Sequence, residues 1–129
     1  MNNSNELIES EGNDGLIHLV IAIIRPEELN NVRTALKKVN ITKMTVIKCK
    51  GCGEEEGYHE TFKGADKVID LLDKIRIEIA VTGAYSHTAI DTICNAAETG
   101  EVGDGKIFII RNIGCIRIRT REKGTSAVG

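Results

Sequence analysis

The run Leu16-Ile17-His18-Leu19-Val20-Ile21-Ala22-Ile23-Ile24 constrains this chain more than any other stretch. It is apolar, rich in β-branched residues, and bounded by Gly15 and Pro26. A short continuous apolar run between turn formers reads as a strand buried on both faces, and therefore as a central strand. Pro26 suits the first turn of a following helix, and Glu27 and Glu28 favour its positive end. Leu29, Val32, Leu36 and Val39 then recur at spacings of three and four, which draws one apolar stripe. Lys37 and Lys38 suit the C-terminal end of that helix.

Residues 44–50 (MTVIKCK) predict a second strand. From Gly51 to Gly64 the pattern breaks into a glycine- and glutamate-rich excursion with almost nothing to bury, and long loops in compact domains are often functional. A short helical turn is expected over 65–73. Residues 75–81 alternate, with Ile75, Ile77, Ile79 and Val81 on one face and Arg76 and Glu78 on the other, as in a strand with one buried face. A helix over about 86–98 follows, burying Ala89, Ile90, Ile93, Cys94 and Ala97. Strands are expected over 106–111 and 115–120. The order is βαβ, long loop, βαβ and a terminal strand, so the expected fold class is α+β, a ferredoxin-like βαββαβ sandwich with an extra C-terminal strand. Residues 1–14, polar and acidic with Leu7 and Ile8 as the only strong hydrophobes, read as a loosely attached extension to a domain spanning 15–129. The 3% aromatic content demands an aliphatic core.

The chemistry concentrates in Thr99-Gly100-Glu101-Val102-Gly103-Asp104-Gly105-Lys106. Closely spaced glycines let backbone N–H groups converge on an anion, and Lys106 adds a positive charge. Arg117 and Arg119, two apart on the expected last strand, would project from one face ~7 Å apart, which suits a chain of phosphates. The loop lacks the GxxxxGK[ST] spacing and precedes a strand, so it is neither a Walker loop nor a dinucleotide fingerprint. The bland readings are a geometric connection and a solvated strand face; together the features favour a nucleotide polyphosphate. A net charge of −2 argues against bulk nucleic-acid attraction, and no apolar run is long enough to span a bilayer. The acidic N-terminus argues against a signal peptide, so a cytoplasmic location is expected, with reduced thiols.

The stretch 99–109 resembles the C-terminal signature of the PII nitrogen-regulatory protein family. The resemblance extends to Ala22-Ile23-Ile24-Arg25-Pro26, Met44-Thr45-Val46, Lys50-Gly51-Cys52-Gly53, Gly64-Ala65-Asp66, Lys74-Ile75-Arg76-Ile77-Glu78 and Ile116-Arg117-Ile118-Arg119-Thr120, and covers nearly all of 18–123. It implies a homotrimer with ATP or ADP competing for clefts between subunits. The positions that match its nucleotide site are Thr45, Gly51, Gly53, Gly103, Asp104, Gly105, Lys106, Arg117 and Arg119. It also implies that residues 51–67 are a T-loop that docks on a target, an ammonium transporter or an enzyme of nitrogen metabolism. Glu54, Glu55, Glu56, Tyr58 and His59 would lie in that partner-binding loop, and Lys74 matches a 2-oxoglutarate-contacting lysine.

The chain departs from that pattern at Cys52-Gly53-Glu54-Glu55-Glu56-Gly57, where Glu54 and Glu55 replace an arginine and a glutamine of the family. Glu55 is a suitable ligand for Mg²⁺, but three adjacent acids repel phosphates and dicarboxylates. Adenine-nucleotide binding is therefore expected to survive and the 2-oxoglutarate response to be weakened or lost. Lys67 stands where some members carry a modified tyrosine, so uridylylation of that kind is not expected. Cys49-Lys50-Gly51-Cys52 offers the alternative of a redox- or metal-responsive sensor, although an isolated CxxC is a weak signal. No complete metal site is expected. Cys94 and Cys115 read as core, His18 as structural and His87 as solvated. An enzyme reading, a weak nucleotide hydrolase, lacks an evident base, so no catalytic residue is assigned.

Overall fold

A computed structural model describes residues 15–52, 58–62, 65–69 and 71–129. The elements are β1 (Ile17–Ile24), a 3₁₀ turn (Pro26–Glu28), α1 (Leu29–Lys38), β2 (Thr45–Gly51), β3 (Tyr58–Phe62), β4 (Ala65–Ile69), β5 (Leu72–Thr82), α2 (Gly83–Ala97), β6 (Lys106–Ile110) and a closing 3₁₀ turn (Gly124–Ala127). Four strands form one sheet in the order β2-β5-β1-β6, and every neighbouring pair is antiparallel. β5 thus lies between β1 and β2, the split βαβ arrangement of a ferredoxin-like α+β fold. β3 and β4 pair with each other as a separate hairpin and, among the described residues, with no other strand.

β1 is central because it has a partner on each edge: Ile17 to Ile24 face Thr82 to Ile75 on β5, and Leu19 to Ile23 face Ile110 to Lys106 on β6. Opposed residues share a face, so Val20 with Ile79, Ala22 with Ile77 and Ile24 with Ile75 form one layer. Val32 and Leu36 of α1 and Ala89, Ile93 and Ala97 of α2 close over it. Val32, Leu36 and Ala89 are fully buried. The small Ala89 and Ser86 on the buried side of α2 allow the helix close to the sheet. Its first residue is anchored by the Gly83 N–H donating to Leu16 O at 2.8 Å.

Among the described residues, no helix covers the other face. There Leu19, Ile21 and Ile23 alternate outward, flanked by Ile47, Phe108 and Ile110, which are 40%, 51% and 48% exposed. The Arg76–Glu78 ion pair, at 3.3 Å, shares this face and Ile21 is buried in it, while the exposed Ile47, Phe108 and Ile110 are apolar surface suited to association.

Two expected elements are corrected. The helical turn over 65–73 is instead β4 and the start of β5; Val68 and Ile69 are strand formers, and pairing with β3 satisfies the backbone. The terminal strand over 115–120 is reduced to a single bridge, Ile116 to Lys123, followed by a turn at 118–120. The chain folds back on itself rather than adding to the sheet: Arg117 N donates to Glu122 O, Arg121 N to Arg117 O and Gly124 N to Cys115 O. Arg117 and Arg119 therefore do not project from an extended strand within one chain. Cys94 is exposed and Cys115 half-buried, so neither is a core residue. The extension 1–14 lies outside the described residues.

Candidate functional site

Gly105 lets the glycine loop join β6. Its φ is +103°, and a Cβ there would lie 1.7 Å from Ile23 O, so only a residue without a side chain can bring the loop this close to β1. Gly100 and Gly103 also have positive φ, +86° and +104°.

Asp104 organises the rest. Its carboxylate accepts the N–H groups of Thr99 at 2.8 Å and Gly100 at 3.0 Å, the Thr99 hydroxyl, and Nε of Arg25 at 3.3 Å. Those bonds, the Thr99 hydroxyl foremost, pull its pKa down to about 2, so it is a fixed anion throughout the neutral range. Glu101 N–H donates to Thr99 Oγ1 at 3.1 Å. The first three amides of the loop thus serve the loop itself, and an incoming anion must be met by those beyond Glu101.

The next two carbonyls are tied down. Arg25 Nη2 donates to Val102 O at 2.6 Å, and Lys74 Nζ donates to Gly103 O at 3.2 Å. In a planar trans peptide the N–H points opposite to the C=O. Holding these two oxygens turns the N–H groups of Gly103 and Asp104 the other way, ready for a ligand. Sequence reasoning missed Arg25 as an anchor; the available signal was a lone cation ending an apolar strand just before a proline.

Lys74 also connects this loop to the start of the 51–67 excursion. It lies opposite Cys49, whose Sγ donates to Lys74 O at 3.6 Å, and is 9% exposed. Its Cγ is 3.4 Å from where a Cβ of Gly51 would be. Gly103, Asp104, Gly105, Gly51 and Lys74 therefore cluster at one end of the sheet. Lys106 begins β6 opposite Ile23 at that same end.

Thr45 begins β2 at mid-sheet, level with Ile21 and Phe108. It faces Glu78 while Gly51 faces Leu72, so six residues, ~20 Å of strand, separate the two. β5 continues through Ile79–Thr82 beyond its last pairing with β2. A cavity of about 320 Å³ lies against this overhang, walled by Asn40–Lys43, Tyr85 and Val128. Arg117 belongs to the far end of the sheet, beside this overhang. Ile113 N donates to Ile17 O, and the Arg117 guanidinium binds Glu122 at 3.0 Å, Ser126 O at 3.1 Å and Gly129 O at 2.6 Å, so it holds the tail that lines the cavity. Arg119 is exposed in the adjoining turn.

Gly53, Glu54, Glu55 and Glu56 lie outside the described residues. Tyr58 and His59 begin β3, in register with Ile69 and Val68. Cys49 and Cys52 are free thiols, and among the described residues no group of three or more His, Cys, Asp and Glu could hold a metal ion. His18 is buried and accepts the Asn112 N–H at Nδ1, a structural role. His87 is part-exposed and pairs with Asp91 at 3.1 Å.

Residues 17–122 match the sequence pattern of the family described as "Nitrogen regulatory protein P-II". The chain is 47% identical over 107 residues to the Nitrogen regulatory protein P-II of Klebsiella oxytoca, covering 83% of this chain and 96% of that one. It is 46% identical over the same length, with the same coverage, to Nitrogen regulatory protein P-II 1 of Escherichia coli K12. Among solved structures it resembles Arabidopsis thaliana PII bound to citrate, with a TM-score of 0.70 and 35% identity over 86% of this chain and 91% of that one.

Proposed function

Because this chain belongs to the nitrogen regulatory protein P-II family, whose members are regulatory signalling proteins rather than enzymes, we propose that it acts as a homotrimer that binds ATP or ADP between its subunits and controls a target through residues 51–67. The observation that carries the reading is the separation of the matched residues. Gly51 and Gly103–Lys106 sit at one end of the sheet and the arginine-bearing tail at the other, while Thr45 lies at mid-sheet on β2, the edge strand opposite β6. A single copy does not bring them round one nucleotide. Two copies do, if the loop end of one meets the far end of the next. Such a head-to-tail contact closes into a ring of three when each copy is turned by a third of a circle from the last, and the apolar residues Ile47, Phe108 and Ile110 are suited to the ring's interior.

In this arrangement the outward amides of Gly103 and Asp104, with Lys106, hold the phosphates. Arg117 and Arg119 of the next copy reach them, and the base lies in its cavity beside Ile79–Thr82. Mg²⁺ would accompany the nucleotide and offset its phosphate charge, and Glu55 is a carboxylate suited to hold it. A phosphate that pulls on Gly103 moves its carbonyl against Lys74, and Lys74 bears on Gly51, where the 51–67 loop begins. Ligand occupancy thereby biases the loop between docking-competent and released forms. The target is an ammonium transporter or a nitrogen-metabolic enzyme. The glutamates at 54–56 disfavour 2-oxoglutarate beside the triphosphate; tight 2-oxoglutarate binding with Mg-ATP present, measured by calorimetry, would refute this part.

Subunit mixing tests the shared cleft. Lys106→Glu disables the loop end and Arg119→Glu the far end, so neither variant alone should bind ATP. Co-refolded in equal amounts, they should regain about a quarter of the sites, since a working cleft needs an intact loop from one variant and an intact far end from the other. No recovery, or undiminished binding by either variant alone, would overturn the reading.

A further inference from the structure

Charge is unevenly laid out along this chain. From Leu29 to Lys50 there is no acidic residue, while Arg33, Lys37, Lys38, Lys43, Lys48 and Lys50 are basic. Residues 1–14 are the reverse: Glu6, Glu9, Glu11 and Asp14 with no Lys or Arg. That segment lies before the family match, which begins at residue 17.

The fold brings three of these cations, Arg33, Lys37 and Lys43, to one place. Asn30, Arg33, Thr34 and Lys37 lie on one side of α1 and, with Thr42 and Met44, line a surface cavity of about 420 Å³. Ile41 and Thr42 are shared with the cavity beside the β5 overhang, so the two hollows adjoin. Lys43 lines the second of these. Arg33, Lys37 and Lys43 make no ion pair among the described residues. The chain enters the fold at this same end: Leu16 O accepts Gly83 N–H, and Ile17 faces Thr82, itself a wall of the cavity.

We propose that the acidic N-terminal segment docks on its own subunit here, with Leu7 and Ile8 against Ile41, Val81 and Val128 and with Glu6 and Glu9 on Lys43, Lys37 and Arg33. Three arguments converge on this occupant. The charges are complementary, with four acids and no base set against cations that pair with no acid among the described residues. The Glu-Leu-Ile-Glu order places two hydrophobes between two acids, and the adjoining hollows likewise offer an apolar wall flanked by cations. The reach is sufficient, because the nine residues from Leu7 to Leu16 span up to ~30 Å when extended and the cavity begins at Thr82. The segment would then cover the wall assigned above to the base of the nucleotide. That consequence rests on the nucleotide reading; the docking does not.

Zero-length carbodiimide cross-linking of the full chain, read by peptide mass spectrometry, tests the docking whether or not ATP binds. Amide links from Glu6 or Glu9 to Lys37 or Lys43 are expected. Their yield should drop several-fold between about 20 mM and about 500 mM salt, as the screening length falls from roughly 20 Å to roughly 4 Å. Arg33→Glu with Lys37→Glu should reduce the remaining link to Lys43 several-fold, and Glu9→Lys combined with Lys37→Glu should restore a link of reversed sense. Links from 1–14 to another surface, links insensitive to salt and to charge reversal, or links found only between differently isotope-labelled copies would overturn the proposal. A separate acidic protein bound at Arg33 and Lys37, with residues 1–14 unlinked, would overturn it too.

Discussion

Gly105→Ala is the sharpest test of how the glycine loop is seated. The new Cβ would lie 1.7 Å from Ile23 O and 2.8 Å from Ile23 C, against the 3.0 Å below which real Cβ atoms essentially never approach another atom. The loop must retreat by about 1.3 Å from a backbone atom that cannot rotate away. Ile23 pairs with Lys106, the residue after Gly105, so the retreat opens the start of the β1–β6 ladder. Losing one or two backbone hydrogen bonds costs about 1–3 kcal/mol, and an alanine at positive φ adds about 1 kcal/mol. The expected loss is therefore about 2–4 kcal/mol. Gly100→Ala supplies the control: its φ is +86°, but nothing lies within 4 Å of its Cβ position, so only the backbone term of about 1 kcal/mol applies. Urea unfolding at one fixed chain concentration, which removes the mass-action dependence of an oligomer, should give a clearly lower midpoint for Gly105→Ala. Equal midpoints for the two variants would refute the claim that contact with β1, rather than φ alone, demands glycine at 105.

Three further outcomes are expected. Arg25→Met frees Val102 O and removes one of the donors to Asp104, and losing a charge-assisted bond of about 1.5 kcal/mol in loop ordering should weaken ATP binding roughly tenfold by calorimetry while leaving the circular dichroism unchanged. Asp104 has its pKa depressed from 3.8 to about 2 in the fold; its contribution is therefore fully present above about 4 and lost as pH falls through about 2. Exchange protection of the Thr99 and Gly100 amides should hold at neutral pH and collapse in that acid window, whereas Asp104→Asn should lower it at every pH; protection that declines near pH 6 would contradict the assignment. Phe108→Glu on the uncovered sheet face should give monomers in analytical ultracentrifugation, with the helical signal retained.

The central strand, both helices and the alternating β5 could be read from the sequence because each rests on a local periodicity: the closed apolar run at 16–24, the stripe from Leu29 to Val39, and the alternation from Ile75 to Val81. Segment 65–73 misled because its apolar spacing is compatible with a helical turn, and only pairing with β3 decides for strand. Residues 115–120 misled for the opposite reason. Ile116-Arg117-Ile118-Arg119 alternates like a strand, yet within one chain it bridges only to Lys123. At the candidate site, glycine spacing marked the loop, but the use of Asp104 as its internal anion and the clamp from Arg25, far away in sequence, depend on tertiary proximity. The wide separation of Thr45 from Gly51 follows from strand geometry once both are placed on β2.

Lys74 has a thermodynamic consequence that runs against the usual direction of signalling. One side chain touches Gly103 of the glycine loop and lies against Gly51, the first residue of the long excursion. Coupling free energy between two binding events is reciprocal. If nucleotide occupancy shifts the excursion by some factor, a target that grips the excursion must alter nucleotide affinity by the same factor. The target would then be an effector in its own right, and its abundance in the cell would set the nucleotide concentrations at which this protein responds.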